Sequence, residues 1–138
     1  MTFQLHPQLA KDCLVIKDLE LCRVLLMNDS NYPWCILVPM REGKKDLYEL
    51  SDAEQKQFIT ESSRLSQVMM SLFSDKEFKG KKMNIAALGN MVPQLHIHHI
   101  VRREGDPCWP KPVWGQVPAV LYKDEAAQSL IARIKTAL

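Results

Sequence analysis

Apolar positions along the chain follow two periods, and the switches between them mark the elements. Leu14-Val15-Ile16 and Leu21 to Met27 are short apolar runs joined by Lys17-Asp18-Leu19-Glu20, the pattern of two strands in a hairpin. Asn28-Asp29-Ser30-Asn31-Tyr32-Pro33 is a cluster of turn formers. Trp34-Cys35-Ile36-Leu37-Val38 predicts a third strand closed by Pro39, and Arg41-Glu42-Gly43-Lys44-Lys45 an exposed loop. The period then lengthens. Ser51-Asp52-Ala53-Glu54 is a capping box, which starts a helix by satisfying amide donors that its first turn leaves free. Phe58, Leu65, Val68, Met69 and Leu72 follow at helical spacing, so one long helix is predicted to end near Phe73 with this stripe toward the core.

Polar, turn-like residues from Asp75 to Lys82 lead into a fourth strand, Met83 to Leu88. Gly89-Asn90 turns the chain, and Gln94 to Val101 predicts a fifth strand. The stretch from Glu104 to Pro118 carries Pro107, Pro110, Pro112 and Pro118 together with Trp109 and Trp114, which excludes a regular helix or an interior strand and predicts an extended surface arm. A short final helix is capped near Asp124, with Ala127, Leu130, Ile131 and Ile134 as its apolar face. A sheet with segregated helices is an α+β domain. At 138 residues the chain suits one domain, 1–138, with a core over about 12–103 and the arm and last helix over 104–138.

Charge and cysteine usage narrow the function. A net charge of only +2 argues against a surface built for nucleic-acid polymers but leaves room for a small anionic ligand. None of Cys13, Cys22, Cys35 and Cys108 forms a C-x-x-C pair, so neither a zinc ribbon nor a redox dithiol is expected. Met1 to Pro7 lacks the basic and apolar segments of a signal peptide, and no apolar run reaches the roughly 20 residues that span a bilayer. The expected location is cytoplasmic, with no membrane association.

Chemistry concentrates in Gln94-Leu95-His96-Ile97-His98-His99-Ile100, which holds three of the four histidines. Strand alternation puts Gln94, His96, His98 and Ile100 on one face, and Leu95, Ile97, His99 and Val101 on the face that packs against the long helix. His96 and His98 would stand about 7 Å apart at Cα, from a rise of about 3.3 Å per residue. A neutral imidazole attacks phosphorus directly, since an unperturbed pKa of about 6.5 leaves it mostly unprotonated at neutral pH. A second imidazole beside it donates a hydrogen bond to the phosphate or leaving group. Gly89 lets backbone amides approach a phosphate. The spacing alone also fits half of a metal site, for which no third ligand is obvious, or a pair of structural histidines. His99, pointing to the core side, reads as structural.

Asn84 to Arg102, with its His96-Ile97-His98-His99-Ile100 core after a glycine turn, resembles the signature of the histidine triad (HIT) superfamily, and most of all its bacterial diadenosine polyphosphate hydrolase-like branch. Leu25-Leu26-Met27-Asn28 and Ile36-Leu37-Val38-Pro39 resemble that family's nucleoside-binding hairpin, so the likeness covers about residues 12–103. The resemblance implies a HIT-like fold: a five-stranded antiparallel sheet, one long helix, a short C-terminal helix, and nucleotide on the sheet face away from the long helix. It also implies a homodimer. By position His96 matches the nucleophile and His98 the third histidine, while Gln94 stands where the first histidine belongs. Met91 occupies a position that is Ser or Thr in many members, and Trp34 one that is often a further histidine.

The resemblance therefore assigns His96, His98 and Gln94 to catalysis and Asn28, Asn84, Gly89 and Asn90 to substrate binding, with no metal and no cofactor. Asn28 equally reads as a turn former and Asn84 as a strand-edge polar residue. Arg102 reads as a solvated arginine or a screen for phosphate charge, and Trp109 and Trp114 as packing anchors of the arm, at the dimer or near the ligand. The implied function is a nucleotide hydrolase or nucleotidyl transferase acting at the α-phosphate of a nucleoside polyphosphate or phosphoramidate through a nucleotidyl-histidine intermediate. The alternatives are a non-catalytic nucleotide-binding module, which the departures at Gln94, Met91 and Trp34 favour, and a metal-binding protein using His96, His98 and His99.

Overall fold

Five apolar runs become strands β1 (Cys13–Asp18), β2 (Cys22–Met27), β3 (Trp34–Pro39), β4 (Lys82–Ala86) and β5 (Ile97–Arg102) in a computed structural model that describes residues 2–138. All neighbours pair antiparallel, in the order β1-β2-β3-β5-β4. The expected α+β fold, a five-stranded antiparallel sheet with one long and one C-terminal helix, is the fold observed. β3 lies at the centre and is buried along its whole length, which explains its unbroken apolar run. No helix among the described residues is long and apolar enough to cross a membrane.

Helix α1 (Pro7–Asp12) is an element that apolar periodicity did not predict. At six residues it has too few turns to show a stripe. Its local signal is Pro7 at the first helical position, behind His6, whose Nδ1 accepts the Gln8 amide at 3.0 Å. Helix α2 (Asp52–Leu72) starts at the expected capping box, with the Ser51 hydroxyl and the Glu54 carboxylate each taking the other residue's amide. Its buried face is Phe58, Glu61, Ser62, Leu65 and Met69, while Val68 and Leu72 sit at the half-buried margin. Glu61 is buried because its carboxylate oxygens accept the amides of Leu21 (2.8 Å) and Cys22 (2.9 Å), pinning the β1–β2 turn to the helix. Helix α3 (Asp124–Ala137) buries Ala127, Leu130 and Ile134.

The sheet separates two cores. On one face Val24, Leu26, Cys35, Leu37, Ile97 and Val101 meet Phe58, Leu65 and Met69 of α2 and Leu130 and Ile134 of α3. On the other, Leu25, Trp34, Ile36, Val38 and Ile100 meet Tyr32 of the turn after β2 and Val113 of the proline-rich arm. The arm crosses back over the turn after β2, where the Ser30 amide donates to Val120 O at 2.6 Å and the Asn31 side chain to Pro118 O at 3.0 Å.

The two strand ends that flank the histidine loop fall short of the apolar pattern. β4 stops at Ala86 instead of Leu88, and β5 starts at Ile97 instead of Gln94. The ladder ends at the Ala86–His98 pair. Beyond it Pro93 has no amide to donate, and the Leu95 amide bonds Lys44 O at 2.9 Å, outside the sheet. Residues 87–96 thereby leave the ladder as a loop, with Leu88 to Val92 beside the His96 and His98 rings and Leu95 buried in the core under α2.

Candidate active site

β5 alternation sends the two adjacent histidines 98 and 99 to opposite faces. His99, fully buried, turns toward α2. Its Nδ1–H donates to Ile97 O at 3.1 Å, so Nε2 accepts from the Ser62 hydroxyl at 2.7 Å, and burial pushes its pKa down to about 4. It thus turns away from His96 and His98, and no group of three or more His, Cys, Asp or Glu side chains set to hold a metal ion occurs among the described residues.

His96 and His98 face the other way, their rings 5.1 Å apart at 71°. Backbone and indole fix their tautomers. His96 Nδ1 lies 2.7 Å from Gln94 O, and a carbonyl only accepts, so Nδ1 carries the proton and Nε2 keeps its lone pair. His98 Nδ1 lies 3.0 Å from Trp34 Nε1, and an indole only donates, so Nδ1 accepts and the ring proton sits on Nε2. Burial, reinforced by His96 and His99, pushes the His98 pKa down to about 3. The pair presents one free lone pair and one uncharged N–H donor.

A cavity of about 360 Å³ opens at these rings. Trp34 and Trp114 close one side, and the loop from Leu88 to Val92 another, with Asp12 and Met27 completing it. Gly89 takes φ +70°, a left-handed conformation that turns the loop over the histidines at little steric cost. Met91 is 94% exposed at the mouth. The Trp114 ring packs edge-on against His98 at 5.2 Å and against Trp34 at 6.0 Å. A larger cavity of about 620 Å³, between residues 74–81 and 103–105, is lined largely by charged side chains and contains none of the histidines.

Of the residues expected at the site, His96, His98, Gly89 and Asn90 come together around the cavity. Gln94, Asn28 and Asn84 do not line it. The Gln94 side chain turns to the N-terminal segment, accepting the His6 amide at 2.8 Å and donating to Gln4 O at 2.9 Å. Only its backbone carbonyl reaches His96. Asn28 follows Met27 and, by alternation, faces away, its Oδ1 accepting the Tyr122 amide at 2.9 Å. Asn84 Oδ1 accepts from Arg102 Nη1 at 3.0 Å. Arg102 is not solvated but 1% exposed, held by both oxygens of Asp106 at 2.7 and 3.0 Å and lying over Tyr32 and Trp109.

Other cavity residues lie outside the expected set, Leu88 and Val92 of the loop among them. Met27 follows from β2 alternation once the ligand face is known. Trp114 anchors the arm at the cavity, one of the two places the sequence offers for it, and Asp12 carries no local signal, since its position depends on how α1 packs.

A family model of the HIT domain matches residues 8–105, the whole of the sheet together with α2 and the histidine segment. The chain belongs to the HIT family. A histidine triad protein from Marinobacter aquaeolei is 51% identical, with a TM-score of 0.93 over 100% of this chain and 97% of that one. A histidine triad protein from Bradyrhizobium japonicum is 40% identical, with a TM-score of 0.92 over 99% of this chain and 98% of that one. The diadenosine triphosphate hydrolase of Plasmodium falciparum shares the fold alone, at 19% identity and a TM-score of 0.64 over 88% of this chain and 74% of that one. No curated protein matches the chain. In this HIT domain the Gln94 side chain lies outside the cavity, and Trp34 stands beside His98.

Proposed function

We propose that this HIT domain is a nucleotide hydrolase or nucleotidyl transferase acting at the α-phosphate of a nucleoside polyphosphate or phosphoramidate. The observation that carries the reading is the pair of opposed tautomers at His96 and His98 in one cavity. The Nε2 lone pair of His96 attacks phosphorus, and the bond to the leaving group breaks with its electron pair going to that group. The Gln94 carbonyl, holding Nδ1–H, stabilises the positive charge that develops on the ring. The His98 Nε2–H donates to a phosphoryl oxygen as charge builds there. Water then attacks the phosphorus of the nucleotidyl-histidine and gives up a proton to solvent, the phosphorus–nitrogen bond breaks with its electron pair returning to Nε2, and the mononucleotide is released. Backbone amides of the Gly89-Asn90 turn are assigned to phosphate binding. The scheme routes no step through a metal ion or cofactor.

Diadenosine polyphosphates are candidate substrates, a reading supported by family membership and by the fold shared with the Plasmodium hydrolase. The working unit is taken as a homodimer. Supporting this, β4 is an edge strand, and Ile85, Leu88 and Met91 on and just after it are apolar and exposed.

Incubation with a panel of adenosine and guanosine polyphosphates and phosphoramidates, read by mononucleotide release, tests the function. Turnover with an acid-labile, base-stable adduct on His96 supports it. Saturable binding without release would identify a nucleotide-binding module instead.

A further inference from the structure

Breaking a bond to phosphorus makes different demands on different leaving groups. A phosphate departs as a stable oxyanion with the bonding electron pair. An amine departing with that pair is a far stronger base and needs a proton as the bond breaks, the task of a general acid worth about 10²- to 10⁴-fold in rate. In this cavity the ring N–H not already held by the protein is that of His98, which donates to a phosphoryl oxygen, and it becomes an acid able to give up that proton only by first gaining a second one at Nδ1.

Nδ1 is where Trp34 donates, at 3.0 Å. A proton there would set two donors against each other in a buried site. The indole has no room to turn aside: Trp34 is 6% exposed and sits between Tyr32 (centroids 6.2 Å) and Trp114 (6.0 Å). The other groups facing His98 do not help. His96 spends its Nδ1–H on Gln94 O, and Asp12 across the cavity acts as an acceptor, with Oδ2 bonded to Gln8 at 2.9 Å. Gln94, at the position of the first triad histidine, has its amide tied to Gln4 and His6.

We infer that this site expels phosphate-type leaving groups and not amines, so that its substrates are nucleoside polyphosphates and related phosphoric anhydrides, while phosphoramidates turn over poorly. The inference rests on the hydrolase reading and narrows it. His96 Nε2 forms the bond to phosphorus, the phosphorus–oxygen bond breaks, and the oxygen leaves with the electron pair and no proton. Trp34 is a specificity-determining residue that acts through His98. The depressed His98 pKa has the same consequence as the geometry.

The test compares kcat/KM for diadenosine tetraphosphate and for an alkylamine phosphoramidate of AMP, from pH 8 to pH 5, in the wild type and in Trp34→Phe. The wild type is expected to favour the anhydride by on the order of 10²-fold or more across this range, the low end of what a general acid supplies. Trp34→Phe, which frees Nδ1, is expected to raise phosphoramidate turnover relative to anhydride turnover as the pH falls. Nitrogen-15 NMR of wild-type His98 gives a second readout that needs no variant, with Nδ1 expected to stay unprotonated down to pH 5. Comparable wild-type turnover of both substrates, or protonation of His98 near pH 6, would overturn the inference alone. Turnover of neither substrate would overturn the hydrolase reading and the inference with it.

Discussion

The Trp34 indole donates to Nδ1 of His98 across 3.0 Å, and this bond decides which nitrogen of the histidine faces the cavity. With Nδ1 occupied, the ring proton points outward from Nε2, and a neighbouring imidazole with its proton on the other nitrogen completes the pair. The division of labour between His96 and His98 follows from these two hydrogen bonds.

His96→Ala is expected to lose nearly all turnover and the trapped adduct while still binding nucleotide, because the covalent route disappears and the rest of the cavity stays. His98→Ala is expected to be milder, a loss on the order of 10²-fold, typical of one hydrogen bond to developing charge. Quenched reactions with labelled nucleotide check both. An equal adduct on wild type and His96→Ala would assign the chemistry to another residue.

Acid is expected to destabilise the fold in a defined window. His98 and His99 have folded pKa values pushed down to about 3 and about 4, against an unfolded value of about 6.5. Between those values the unfolded chain binds more protons than the folded one. Their contribution is complete above about pH 6.5 and is lost as the pH falls toward 4, at a slope approaching 1.4 kcal/mol per pH unit for each histidine. Urea midpoints from pH 8 to pH 4 measure it. His99→Gln should flatten part of the slope, and an unchanged slope in that variant would contradict the assignment.

Gln94→Ala is expected to act on stability more than on chemistry. It strips partners from the His6 amide and the Gln4 carbonyl, a loss of about 0.5–1.5 kcal/mol since water reaches both, while the carbonyl that holds His96 belongs to the backbone and stays. Limited proteolysis should cut sooner within residues 2–12, with kcat within a few-fold of wild type. A collapse of kcat with no change in stability would show that the side chain takes part in the reaction.

Asp106→Ala is expected to lower stability by about 3–5 kcal/mol, because it leaves the Arg102 guanidinium buried without its carboxylate. Asp106→Asn, which keeps one acceptor, should lose less. Thermal unfolding of the two variants side by side checks the order.

The four strand runs Leu14–Ile16, Leu21–Met27, Trp34–Val38 and Met83–Leu88, the helix cap at Ser51 and the last helix were legible in the chain, because periodicity and capping depend on residues a few positions apart. So was the division of the histidines, since alternation along β5 separates His98 from His99 whatever the partner strands do. Short α1 left no periodic trace, and the early end of β4 depended on Leu95 pairing with Lys44.

Tertiary structure alone decided the rest. Trp34 and His98 are 64 positions apart, and Gln94 and His6 are 88 apart. Residue type showed that His98 was able to donate or accept, that Gln94 was able to stay in the site or leave it, and that Arg102 was able to meet solvent or Asp106. Which of these occurred was settled by partners brought near by the fold, because a polar atom's state depends on the donor or acceptor that removes it from water, and no local pattern encodes a partner that far along the chain.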